Sequence, residues 1–144
     1  MLFKRTSRSQ PEVVYMVVQN VSGSTITAGY SCVFDVGANV DGVRVTQVSS
    51  TTLQAYAGVA DSDISNNSYG LVQVYGYRSS AFIYSSAGSS AAGDNLITVA
   101  SQWGLQPATT GATAKAFGFL CAAITASSAS SNFTTTAKVF IRAL

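Results

Sequence analysis

Hydrophobic and polar positions alternate along this chain with a period of two. From Thr134 to Ala143, Ala137, Val139, Ile141 and Ala143 fall on one face, while Thr136, Lys138 and Arg142 fall on the other. Only Phe140 breaks the alternation. Val43 and Val45 alternate with Arg44 and Thr46, and Val72, Val74 and Gly76 oppose Leu71, Gln73, Tyr75 and Tyr77. Successive side chains of a strand point to opposite faces, so these runs predict half-buried strands. Their β-branched and aromatic content fits a pleated surface. Asp41-Gly42, between Val40 and Val43, predicts a two-residue hairpin turn. Further loops are marked by Asn66-Asn67-Ser68 with Gly70, by Gly88 to Gly93 and by Pro107 to Gly111. The segments 50–60 and 61–68 have room for at most a helical turn or two, and neither carries a full amphipathic stripe. The pattern predicts an all-β chain with a single-domain β-sandwich or β-barrel over residues 13–144. Residues 1–12 read as an extended N-terminal arm, flexible or ordered by a partner, because little there offers an apolar face.

Two segments look locally alike. Ile26-Thr27-Ala28-Gly29 leads into Tyr30 to Phe34, and Ala91-Ala92-Gly93-Asp94 leads into Leu96 to Val99. The shared Ala-Gly is too short to establish a duplication.

Composition adds a constraint on the surface. Only 10% of the 144 residues are charged and 47% are hydrophobic, where an ordinary domain has about a quarter charged. Ser, Thr, Asn, Gly and Ala replace the missing charge. Interface cores are likewise poor in Lys and Glu, so the composition favours an assembly subunit. A net charge of +2 does not suggest nucleic acid, which needs basic groups converging on one face. Lys4, Arg5 and Arg8 cluster, but Arg44, Arg78, Lys115, Lys138 and Arg142 look scattered. No membrane partner is expected either. The uncharged stretch 116–137 is long enough to span a bilayer, yet its second half is mostly hydroxyl and amide groups. The run Val13 to Val18 is too short for the apolar core of a signal peptide.

Candidate chemistry is sparse. The chain has no histidine, which removes His-activated nucleophiles and imidazole metal sites. Asp61 and Asp63, beside Ser62, Ser65 and Asn66, read as caps of a turn rather than as a catalytic pair. Gly88 and Gly93 have phosphate-loop spacing, but Asp94 stands where a lysine is required. No catalytic, cofactor or metal site is therefore expected. Cys32 and Cys121 lie among apolar or small residues and read as buried, reduced thiols, with an inter-strand disulfide as the alternative. Aromatics are the denser signal: Tyr69, Tyr75, Tyr77, Phe82 and Tyr84 fall close together with Arg78 among them. Tyr and Arg are common interface anchors, so Tyr75, Tyr77 and Arg78 are candidate contact residues. Leu2, Phe3, Lys4, Arg5 and Arg8 of the arm are the others, with Leu2 and Phe3 as an apolar plug. Trp103 reads as a core residue, or, with Tyr75 and Tyr77, as a stacking platform for carbohydrate.

The run Ala57-Gly58-Val59-Ala60-Asp61-Ser62-Asp63-Ile64, with Tyr69 to Tyr77 after it, resembles head structural proteins of tailed bacteriophages. So does Ser90 to Leu96 leading to Leu105-Gln106-Pro107. The resemblance covers about residues 26–126 and is greatest to the capsid decoration, or cement, proteins. It implies a β-rich homotrimer made in the host cytoplasm, with the major capsid protein lattice as partner. It also implies a place on the capsid exterior and no catalytic residues. The alternatives are another virion component, such as a head fibre base or tail protein, and a carbohydrate-binding β-sandwich.

Overall fold

Ten strands and no helix make up the described residues, which are 2–4, 12–37, 41–85, 89–108, 115–125 and 133–143 of the computed structural model. In chain order they are β1 (Leu2–Lys4), β2 (Val13–Asn20), β3 (Ser31–Phe34), β4 (Arg44–Thr46) and β5 (Tyr56–Ala60). After them come β6 (Tyr69–Ser85), β7 (Asn95–Thr98), β8 (Leu105–Pro107), β9 (Gly118–Leu120) and β10 (Phe133–Arg142). The all-β class read from the alternation is the observed one.

The pairing closes twice. One ring runs β2-β4-β3-β5-β6 and back to β2, and the other runs β6-β10-β9-β7-β8 and back to β6. Both rings share β6, which spans 17 residues. A strand of that length exceeds what one small ring can pair, so its first half serves ring 1 and its second half ring 2. Closure also leaves few open strand edges, the usual liability of a β protein.

The handover falls at Tyr75 and Gly76. The β2 ladder on β6 ends at Val14↔Tyr75, and the β10 ladder ends at Arg142↔Tyr75. Gly76 has φ +103°, and a Cβ there would overlap the Glu12 carbonyl oxygen, so only glycine lets the two strands cross this closely. The buried Gln73 amide nitrogen Nε2 shares its two hydrogens among the oxygens of Tyr75 (3.3 Å), Gly76 (3.1 Å) and Tyr77 (3.1 Å).

The two rings repeat one wiring diagram. In ring 1, Gly29 N donates to Ala60 O (2.9 Å) and Ala60 N to Tyr30 O (2.8 Å); in ring 2, Gly93 N donates to Leu120 O (2.8 Å) and Leu120 N to Asp94 O (2.9 Å). Ile26 bridges Ile64 as Ser90 bridges Ile124. Cys32 faces Gly58 as Leu96 faces Gly118. Ala60 faces Val72 as Leu120 faces Val139. Both rings close through one parallel contact, β2 with β4 and β6 with β8. Gly58 and Gly118 are equivalent in packing too: a Cβ at either would overlap a carbonyl oxygen of the neighbouring strand, Gln73 or Phe140. The likeness of the two Ala-Gly segments is thus the visible trace of a full structural repeat.

Each ring has its own core. Ring 1 encloses Val14, Val18, Ile26, Cys32, Val45, Ile64, Val72 and Val74. Ring 2 encloses Ala81, Ile83, Leu96, Leu105, Leu120, Val139 and Ile141. Strand β5 joins them, because Ala57 and Ala60 belong to the first core while Tyr56 and Val59 reach into the second. Each buried Val, Leu or Ile contributes about 1.5–3 kcal/mol.

Three local expectations differ from the structure. The Asp41-Gly42 segment does not form a two-residue hairpin: β3 ends at Phe34, which pairs with Val45, so the connection is longer. Asp41 instead folds its carboxylate back onto the amides of Val43 and Arg44 (2.9 and 3.0 Å). These bonds, with the Arg44 guanidinium, lower its pKa to about 2. The segments 50–60 and 61–68 hold turns and strand rather than helix. Both cysteines are free, but only Cys32 is buried; Cys121 is half-buried on the outer side of ring 2. It sits just beyond β9, where the alternation carries it outward.

Candidate interaction surface

The outer faces of the two rings carry different chemistry on equivalent positions. On ring 2, Phe119 of β9 and Phe140 of β10 are paired in register and stack with centroids 5.2 Å apart and planes 9° from parallel. Tyr75 meets the edge of Phe140 at 5.2 Å and 85°. The Arg142 guanidinium lies 5.6 Å from the Phe119 centroid, within range of a cation–π contact. The three rings are half-buried, and Arg142 and Lys138 are exposed. A half-buried aromatic strip with an arginine at its margin has the make-up of an interface hot spot.

The equivalent face of ring 1 exposes Val17 and Tyr69, and its Asp61 carboxylate is paired with Arg78. Val17 (49% exposed) pairs with Leu71, and Tyr69 (66% exposed) pairs with Gln19. Wherever ring 2 has Phe119, Phe140, Lys138 and Cys121, the shared wiring puts Val59, Gln73, Leu71 and Asp61 in ring 1.

Arg78 lies between the rings and is spent on partners within the chain. It bonds Asp61 Oδ1 (3.2 Å), Ala60 O (2.8 Å), Ser80 O (2.8 Å) and Gln73 Oε1 (3.4 Å), and its side chain is 13% exposed. With Tyr15, Asp61, Gln73 and Tyr77 it lines a shallow hollow of about 300 Å³. Burial, reinforced by the Asp61 carboxylate, raises the Tyr15 phenol above its ordinary pKa. Tyr77 is half-buried beside this hollow and pairs with Phe140. Asp63 accepts the Ala28 amide (2.8 Å), the turn-capping role read from its neighbours.

The arm residues divide. Leu2, Phe3 and Lys4 form β1, pairing with Tyr15, Val14 and Val13 of the same chain. Arg5 and Arg8 lie outside the described residues. Of the other candidates, Tyr75 joins the aromatic strip, whereas Trp103 stacks on Tyr30 at 5.6 Å. The rings of a supposed carbohydrate platform thus have separate partners. Phe119, Phe140 and Arg142 escaped the sequence reading. Phe140 was detectable as the one apolar residue on the polar face of its strand; Phe119 gave no such sign. Among the described residues no group of three His, Cys, Asp or Glu side chains could hold a metal ion.

No family model matches this sequence, and no curated protein matches it. Among solved structures the chain is similar to the N base of head fibre protein gp8.5 of bacteriophage phi29, with a TM-score of 0.50 and 15% identity. The match covers 91% of this chain and 95% of that one. At this identity the likeness is one of fold, extending over nearly the whole of both chains.

Proposed function

We propose that this chain is a structural component of a tailed-phage virion, seated on the outside of the head. The observation that carries this reading is the near full-length fold likeness to a head fibre base. The aromatic strip and the low surface charge support a protein built for contact. Within that reading the chain acts as a decoration protein, a homotrimer bound to the outer surface of the major capsid protein lattice. It would work without catalysis. A ligand that binds only the mature lattice stabilises it by mass action, and repetition over many sites multiplies the effect.

The fold likeness favours a second reading, the base of a head fibre. Immunogold labelling of particles with antibody to this chain separates the two. Decoration gives label over the whole head and raises the temperature at which heads release DNA when the protein is added. A fibre base gives label at few, fixed places and leaves that temperature unchanged. Label on the tail alone, or none on the particle, overturns both.

A further inference from the structure

We infer that the hollow at the seam between the rings, lined by Tyr15, Asp61, Gln73, Tyr77 and Arg78, binds a single neutral sugar residue. The fold builds this hollow from both rings. Across the β6–β10 ladder Ala81 faces Ala137 and Arg78 faces Val139, so Ser79 and Ser80 together oppose Lys138. That is a β-bulge, a device that re-aims side chains beside functional sites, and both serines line the hollow. Strand β2 sets Tyr15 opposite Gln73, and Asp61 follows directly on β5. Residues of ring 1 and of the bulged part of β6 thus enclose about 300 Å³, the lower end of the range for small-molecule sites.

The lining selects its ligand by chemistry. Among the described residues its charged groups are the Asp61 carboxylate and the Arg78 guanidinium, which neutralise one another at 3.2 Å. Neither a cation nor an anion meets an uncompensated charge there. No aliphatic side chain of the described residues lines the hollow, so an apolar ligand would strip water from polar groups and return no hydrogen bonds. A pyranose ring matches what remains, with hydroxyls for the polar groups and a C–H face for the half-buried rings of Tyr15 and Tyr77. The polar groups are also held in place beforehand. Arg78 makes four hydrogen bonds within the chain, and Gln73 is anchored through both its amide oxygen and its amide nitrogen. Such preorganisation lowers the ordering cost of binding. The tie between the rings accounts for Asp61, Gln73 and Arg78 but not for the rest of the lining. The hydroxyls of Tyr77, Ser79 and Ser80 make no hydrogen bond among the described residues, and Asp61 meets Arg78 through Oδ1 alone.

This inference goes beyond the virion reading and does not rest on it. The experiment uses the free, full chain and, as probes, the methyl glycosides of glucose, galactose, mannose and N-acetylglucosamine. Sulfate and cyclohexanol serve as charged and apolar controls. Amide shifts in heteronuclear NMR spectra report binding, and circular dichroism checks the folding of each variant. At least one glycoside should shift the amides of residues 77–80 in a saturable way, and neither control should. Tyr77→Phe and Ser79→Ala each remove a hydroxyl outside the tie between the rings. Each should weaken that binding at least about fivefold, the loss of one hydrogen bond. Tyr69→Phe, at an exposed tyrosine that does not line the hollow, should leave it unchanged. No saturable shift with any of these glycosides overturns the proposal. So does binding that both hollow variants retain at parent strength, or saturation of the same amides by sulfate or cyclohexanol at least as tightly. A failed titration leaves the labelling of heads untouched, so the two readings fail separately.

Discussion

The two rings share a frame and differ in almost everything mounted on it. Strand β5 of ring 1 is buried on both faces, with Ala57 and Ala60 in its own core and Tyr56 and Val59 in the core of ring 2. Among the described residues ring 2 has no such cover, and Phe119 of the equivalent strand and Cys121 just beyond it are only half-buried. Several inner positions stay apolar in both, with Ile64 matched by Ile124 and Val72 by Val139, although Ser90 stands where ring 1 has the buried Ile26. Backbone wiring and inward side chains therefore define the repeat, while the outward side chains are free to diverge in charge and size. The difference teaches that equivalence here resides in hydrogen bonds rather than in sequence.

The sharpest way to break that comparison is at its paired glycines. Gly58→Ala should destabilise the protein by about 3 kcal/mol or more, because a Cβ overlaps the Gln73 carbonyl and φ at +148° already disfavours any other residue. Gly118→Ala meets the Phe140 carbonyl in the same way but without the backbone strain, and should cost about 2 kcal/mol. Urea denaturation measures both. If Gly118→Ala is neutral, the close approaches of β5 to β6 and of β9 to β10 are not equivalent.

Polar atoms in the two cores make a second contrast. Gln73 shares its amide hydrogens among three carbonyls at the handover, whereas the buried Tyr56 hydroxyl of the second core has no hydrogen-bond partner, and burial raises its pKa well above the ordinary value. Gln73→Leu should cost about 2 kcal/mol by stranding those carbonyls, while Tyr56→Phe should be neutral or stabilise by about 1 kcal/mol. Thermal denaturation distinguishes the signs. A clear loss on Tyr56→Phe would point to a partner for the hydroxyl in solution.

The two cysteines sharpen the contrast further. Burial pushes the Cys32 thiol up from 9.0 to about 12, so the folded chain keeps a proton there that the unfolded chain gives up. The associated stability is intact below pH 9 and is lost as pH rises from there toward 12, by about 1.4 kcal/mol at pH 10. Cys32→Ala should flatten that alkaline decline. In native protein at pH 8 a thiol reagent should label Cys121 readily and Cys32 only through unfolding. Equal labelling rates would mean that the half-exposed position of Cys121 or the burial of Cys32 is wrong.

Much of the local structure was legible along the chain. Alternation from Thr134 to Ala143 marked β10 and its buried Val139 and Ile141, and the Leu71 to Tyr77 run marked the middle of β6 with Val72 and Val74 inward. What stayed hidden was non-local. The Asp41-Gly42 pair looks like a hairpin because turn chemistry is local, but the register of β3 against β4 depends on which residues are buried, and Phe34 pairs with Val45. Arg78 reads as a contact residue, since nothing near it in sequence announces that Asp61 and the Ala60 carbonyl will stand beside it. Nothing in the sequence around Phe119 marks it as outward, since exposure is a property of the neighbouring ring.

The amino-acid sequence by itself determined the strand class, the inward and outward faces of the longest strands, the positive-φ turns such as Gly29 and Gly93, and a surface poor in charge. Those properties follow from steric limits on each residue and from the two-residue period of an extended chain. Only the tertiary structure decided that one 17-residue strand would close two rings and that a repeat almost erased in sequence would survive in wiring. These depend on pairings between residues tens of positions apart, where the burial of one face and the satisfaction of backbone groups choose among many registers that local pattern leaves equal.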